Sequence, residues 1–146
     1  MTTYTRGMGE RRARFDHTGD LGLEVEADDP ARLHALAAEA LCTEIALAGP
    51  GPDDVERALE LDGDDPADLF VHWLNTVLLE AELARAVWTH VSVTALTPRH
   101  LAARLAGQRL RPGRQVRMRE VKAVSHHALE LTLTPGCCRA RFVLDL

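Results

Sequence analysis

Apolar and polar residues alternate through Asp20-Leu21-Gly22-Leu23-Glu24-Val25-Glu26, which predicts a half-buried strand whose polar face carries Asp20. Asp28-Asp29-Pro30 then predicts a helix start, with Asp29 as cap and Pro30 at the first position. Leu33, Leu36, Ala37, Ala40, Leu41 and Ile45 follow at helical spacing, and Gly49-Pro50-Gly51-Pro52 stops that helix. Val55, Arg57, Leu59 and Leu61 share one face of a weaker strand. Asp65-Pro66 repeats the capping signature, and Leu69, Phe70, Trp73, Leu74, Val77, Leu78 and Ala81 form a strongly amphipathic stripe.

Beyond residue 84 no comparable helix pattern appears. Strand-like runs fall at about 87–96, 100–107, 119–126, 128–134 and 138–145, punctuated by Pro98, Gly107, Pro112-Gly113 and Pro135-Gly136. Two helices among many tandem strands predict an α+β fold, with both helices on one face of a mainly antiparallel multi-stranded sheet. Residues 1–13 lack periodicity and read as a flexible N-terminal tail, leaving 14–146 as a single domain.

Composition narrows the class. With 146 residues, 46% of them apolar and 27% charged, the chain suits one globular domain and excludes a disordered or fibrous one. No run approaches the roughly 20 apolar residues of a membrane span, and the arginines of the N-terminus precede no apolar core of a secretory signal. Cys42, Cys137 and Cys138 are odd in number and two are adjacent, a poor disulfide framework that fits a reducing cytoplasm.

Charge is distributed unevenly. Residues 1–84 hold 6 Arg against 19 Asp and Glu, a net −13, whereas residues 85–146 hold 11 basic residues against 3 acids, a net +8. Such a split can mark a surface for an acidic partner, or two halves that attract within one fold. Arg109, Arg111, Arg114, Arg117 and Arg119 surround a Pro-Gly turn as a basic loop that could track phosphates, but no aromatics interleave for base stacking. Among 16 Arg stands a single lysine, Lys122, as if a compact ammonium were needed there.

Three segments carry candidate chemistry. Phe15-Asp16-His17-Thr18-Gly19-Asp20 enters the first strand; its acids could ligate a hard cation, and its turn could equally be an Asx or ST turn at a strand entry. Phe142-Val143-Leu144-Asp145-Leu146 alternates to the last residue, setting the α-carboxylate beside the Asp145 carboxylate. Two such anions repel unless a cation or basic side chain lies between them. In Arg119-Glu120-Val121-Lys122-Ala123-Val124-Ser125-His126-His127, Lys122 could neutralise acids or contact phosphate. The adjacent His126 and His127 point to opposite faces of a strand and read as structural. Cys137-Cys138 lacks the four ligands of a closed zinc site, and Asp62-Gly63-Asp64-Asp65-Pro66 lacks EF-hand spacing. No phosphate loop, nucleophile elbow or HExxH motif is present.

Taken together, Asp16-His17-Thr18-Gly19-Asp20, Glu120-Val121-Lys122-Ala123 and the closing Val143-Leu144-Asp145-Leu146 resemble the archease family. Asp68-Leu69-Phe70-Val71-His72-Trp73-Leu74-Asn75 looks like that family's second helix, and the likeness spans about residues 14 to 146. Gly19 stands where the family usually has Ala, a small change that frees the turn.

The resemblance implies an accessory protein rather than an enzyme. It implies that the partner is the GTP- and manganese-dependent RNA ligase of tRNA splicing and RNA repair, whose guanylylation and multiple turnover it promotes, with RNA met only through the ligase. It implies a divalent metal, calcium with magnesium or manganese as alternatives, at Asp20, Asp145 and the main-chain carboxylate of Leu146. It places Lys122 as the partner- or GTP-positioning residue. All-oxygen donors suit such hard cations. Two other readings stay open. One is a stand-alone metal-dependent hydrolase with His17 as general base. The other is a nucleic-acid-binding module or chaperone acting through the basic half.

Overall fold

The computed structural model describes residues 3–5, 9–17 and 20–146. In chain order the elements are β1 (Thr3–Thr5), β2 (Arg11–His17), β3 (Asp20–Ala27), α1 (Pro30–Ile45), β4 (Ala46–Leu47), β5 (Val55–Asp62), α2 (Pro66–Ala84), β6 (Ala86–Leu96), β7 (His100–Arg109), β8 (Val116–Arg117), β9 (Ala123–Val124), β10 (Glu130–Thr134) and β11 (Cys137–Asp145). The fold is α+β and its ladders are antiparallel. β1 and the start of β2 fall within the first 13 residues, where the alternation indicated no element.

Both helices begin where the sequence caps them. The Asp29 carboxylate accepts from Arg32 N at 3.1 Å and the Asp65 carboxylate from Asp68 N at 2.8 Å, each followed by Pro in the first turn. α1 ends at Ile45, four residues before Gly49, because the extended backbone of Ala46 turns straight into β4. α2 ends at Ala84 and is capped by Arg85, which takes the left-handed conformation (φ 49°) that sequence signals associate with glycine.

Strands among the described residues divide into three sheets rather than one. The largest runs β1-β2-β3-β11-β10, with β9 also pairing β11; a second runs β5-β7-β6; β4 and β8 form a two-stranded ladder. β9 and β10 share the outer edge of β11, β10 along residues 137–141 and β9 at 144–145. The run predicted over 119–126 shrinks to Ala123–Val124, because the backbone before it bonds elsewhere: Met118 N and Arg119 N donate to Ile45 O. α1 packs on β3, β11 and β6, so it bridges the two larger sheets, while α2 covers β5, β6, β7 and β9.

The shared core explains why the pieces hold together. Leu33, Leu36, Phe70, Trp73, Leu74, Leu101, Leu105, Phe142 and Leu144 are fully buried. Burying each such side chain contributes about 1.5–3 kcal/mol. Phe70 meets Phe142 edge-on at 5.5 Å and His34 at 5.3 Å. Trp73 Nε1 donates to His34 O at 2.9 Å, which ties α2 to α1 through the core.

Candidate functional site

The alternation that buries Leu21, Leu23 and Val25 turns Asp20, Gly22, Glu24 and Glu26 to the other face of β3. On β11, burial of Cys138, Ala140, Phe142 and Leu144 does the same for Arg139, Arg141 and Asp145. β3 and β11 pair as far as Leu144 opposite Leu21, and Asp145 and Asp20 are the next residues of the two strands at that end of the ladder.

The third member arrives through the other edge of β11. Asp145 pairs with Ala123 of β9, and Lys122 N donates to Asp145 O at 2.8 Å. β9 is short, and a side chain from α2 holds it. Asn75 Nδ2 donates to Val124 O at 3.1 Å while Asn75 Oδ1 accepts from Val124 N at 2.8 Å. Asn75 closes the Trp-Leu-Asn signature of the second helix, yet sequence spacing gave it no role. Only the fold reveals it as the clamp on the strand that pins the end of β11.

The structure therefore brings Asp20, Asp145 and the Lys122 backbone to one end of the large sheet. Leu146 follows Asp145 directly and is exposed. The Lys122 side chain is exposed and lines, with Asn75, Leu79 and Arg119, an open cleft of about 810 Å³ between α2 and the 110–122 segment. Thr18, Gly19 and the His17 side chain lie outside the described residues. Among the described residues no group of three or more His, Cys, Asp and Glu side chains gathers around one point. A cation here would rest on two side-chain carboxylates and the terminal carboxylate of Leu146, an all-oxygen set whose chemistry fits a hard divalent ion.

The face beside this site is built tightly. Arg141 lies 3.9 Å from the centroid of Phe15. Phe15 in turn covers Gly22, where an added Cβ would come within 2.1 Å of the ring edge. Further along, Glu24 accepts from Arg139 Nε at 2.7 Å and from Arg11 Nη2 at 3.0 Å. The hydrogen bond from Arg139 holds the Glu24 carboxyl below its ordinary value.

The basic loop is absorbed by acids of the first half. Arg111 and Arg114 each reach Asp54 at 3.2 Å, and Arg114 also donates to Pro50 O and Pro52 O. The Asp54 carboxyl is pulled below its usual value, chiefly by the Arg109 N–H and then by Arg114. Arg119 bonds Glu44 at 2.5 Å. Much of the charge asymmetry is thus internal pairing rather than a free basic strip. The Asp62–Pro66 segment is the capped turn expected, with Asp64 N donating to Asp68 at 2.8 Å. All three cysteines are free, Cys42 and Cys138 buried and Cys137 exposed. No helix of the described residues is long and apolar enough to cross a membrane.

Comparison with known proteins bears on the family and the fold. The family model described as the Archease protein family matches residues 13–146. Protein archease of Methanopyrus kandleri is 28% identical over 135 residues, covering 90% of this chain and 96% of that protein. Protein archease of Methanosarcina mazei is 25% identical over 143 residues, covering 95% and 98%. The solution structure of Methanobacterium thermoautotrophicum protein 1598 superposes with a TM-score of 0.75 at 26% identity, covering 92% of this chain and 98% of that one.

Proposed function

The chain belongs to the archease protein family, and from that premise we propose that it is an accessory protein that activates a GTP- and manganese-dependent RNA ligase. It promotes guanylylation and multiple turnover of that ligase in tRNA splicing or RNA repair, and performs no chemistry of its own. The observation that supports this reading best is the β3–β11 ladder ending at Leu144 opposite Leu21, which leaves Asp20 and Asp145 as the next residues at one sheet end, while Lys122 N bonds Asp145 O. Two acids held that way form an acidic tip on rigid strands, suited to entering a partner's active site.

In this reading Asp20, Asp145 and the Leu146 carboxylate hold a divalent ion, calcium or else magnesium or manganese. The ion supplies positive charge where a triphosphate must be oriented, which is the main demand of phosphoryl and nucleotidyl transfer. β3 and β11 fix the two carboxylates on neighbouring strands. Asn75 holds β9 and with it the Lys122 backbone. The Lys122 ammonium lines the adjoining cleft and meets the partner or its nucleotide. Binding nucleic acid through the basic loop fits less well, because Arg111, Arg114 and Arg119 already pair with Asp54 and Glu44.

The test is GMP loading of a cognate ligase by sub-stoichiometric protein. Wild type accelerates loading, whereas Asp20→Ala, Asp145→Ala and a variant with one residue appended after Leu146 each lose most of the stimulation. If all three stimulate like the parent, the acidic tip is not the working end. If wild type fails to stimulate, the activator reading itself falls.

A further inference from the structure

One apolar step interrupts the charged face of the large sheet. Glu24 opposite Arg141 and Glu26 opposite Arg139 lie on one side of it, and Asp20 and Asp145 lie on the other, at the sheet end. Between them Phe15 of β2 pairs with Gly22 of β3, and Gly22 pairs with Val143 of β11. Directly paired residues share a face of the sheet. Val143 is only 2% exposed, although alternation puts it on the face of Arg141 and Asp145.

Glycine inside a strand weakens it and marks a place where something approaches the backbone closely. At Gly22 the approaching group is the Phe15 ring, whose carbons Cε2 and Cζ take the space of the missing Cβ. Arg141 Cζ lies over the same ring, 3.9 Å from its centroid and well within cation–π range. Two acids neighbour this guanidinium without drawing it off. Glu130 stands 3.9 Å from Arg141 Nε, beyond a hydrogen bond, and Glu24 is bonded by Arg139 and Arg11. The ring therefore ties three strands together: β2 by its own backbone, β3 through Gly22 and β11 through Arg141.

Phe15 stands two residues before His17, which ends β2 and pairs with Asp20 at the start of β3. A ring fixed there limits how far the β2–β3 hairpin, and the Asp20 carboxylate with it, swings away from β11. Asn75 restrains Asp145 in the corresponding way through β9.

We propose that Phe15, seated on Gly22 and held by the Arg141 guanidinium, is the positioning residue for Asp20. It keeps the hairpin where both acids serve one cation, and it is not itself a ligand. The inference rests on the reading of Asp20 and Asp145 as a cation-holding tip. Donors held in place before the ion arrives need less ordering when it binds, so loosening them costs affinity.

The test uses the full chain with calcium alone as the probe. It has two readouts, calorimetric affinity and amide hydrogen exchange by NMR in the ion-free protein. Phe15→Leu keeps an apolar side chain but has no ring for the guanidinium. Its calcium affinity falls by about tenfold or more, and exchange at residues 20–22 speeds while Val25 and Ala140, paired further along the ladder, keep their rates. Arg141→Gln removes a positive charge near the tip, which by Coulomb's law alone would tighten calcium binding; the clamp predicts weaker binding. Arg141→Lys keeps a cation over the ring and stays within about threefold of the parent. Parental affinity in Phe15→Leu, or tighter binding in Arg141→Gln, overturns the hold on Asp20. Unchanged exchange at residues 20–22 in Phe15→Leu, or equally faster exchange throughout the ladder, overturns the clamp. Failure of the parent to bind calcium is a different result: it sinks the tip as a cation site, while exchange in the ion-free protein still decides the clamp.

Discussion

Asn75 donates to Val124 O and accepts from Val124 N, so one amide replaces a missing strand neighbour for both backbone groups of that residue. Removing it strands two backbone groups. Asn75→Ala therefore lowers stability by about 1–3 kcal/mol in urea denaturation. If the proposed ligase activation holds, it also loses stimulation more than stability alone explains, because β9 no longer holds the end of β11. Asn75→Asp, which keeps only the acceptor, falls between; a variant with unchanged stability would show that β9 needs no clamp. His34 argues a second case. It is buried with Nδ1 donating to Pro30 O at 2.7 Å, and burial lowers its pKa from the ordinary histidine value, opposed by that hydrogen bond. The fold thus prefers the neutral ring. Its contribution is intact above the unfolded value of about 6.5 and is lost as pH falls below it toward the depressed folded value. Melting temperature should drop as pH falls below about 6.5, and His34→Gln should flatten that slope.

At the scale of elements, the helices were plain in the sequence because their signals are local. A cap carboxylate, a first-turn proline and an apolar stripe all act within a few residues. Asp65→Ala should cost about 0.5–2 kcal/mol by chemical denaturation while leaving the fold intact; no change would mean that Asp64 or Asp68 caps in its place. The short strands were less legible. β9 is two residues long inside an eight-residue run of suggestive pattern, because Lys122 N and Ser125 N bond β11 while the backbone at 118–119 bonds α1 instead. Alternation measures which side chains can lie on a pleat, not which backbone groups have a partner.

At the scale of the molecule, two sheets share one core through α1, and the oppositely charged halves of the chain pair with each other. Arg139 meets Glu24, Arg114 meets Asp54 and Arg119 meets Glu44, each joining residues of the second half to the first. These contacts turn part of the charge asymmetry inward. The acids at residues 20 and 145 stand at one end of the large sheet, beside the last pair of the β3–β11 ladder.

The sequence by itself determined the helices, the face of each long strand, and the candidate acids at residues 20 and 145 with the lone Lys122. All of these follow from short-range sterics, capping and periodicity, or from residues standing out against composition. Tertiary structure alone decided that β11 inserts beside β3, which makes Leu144 and Leu21, 123 positions apart, register neighbours. It also decided which arginines find carboxylates. Such outcomes depend on pairing between distant strands, where many registers satisfy the same alternation. Only the packing of the whole core selects one.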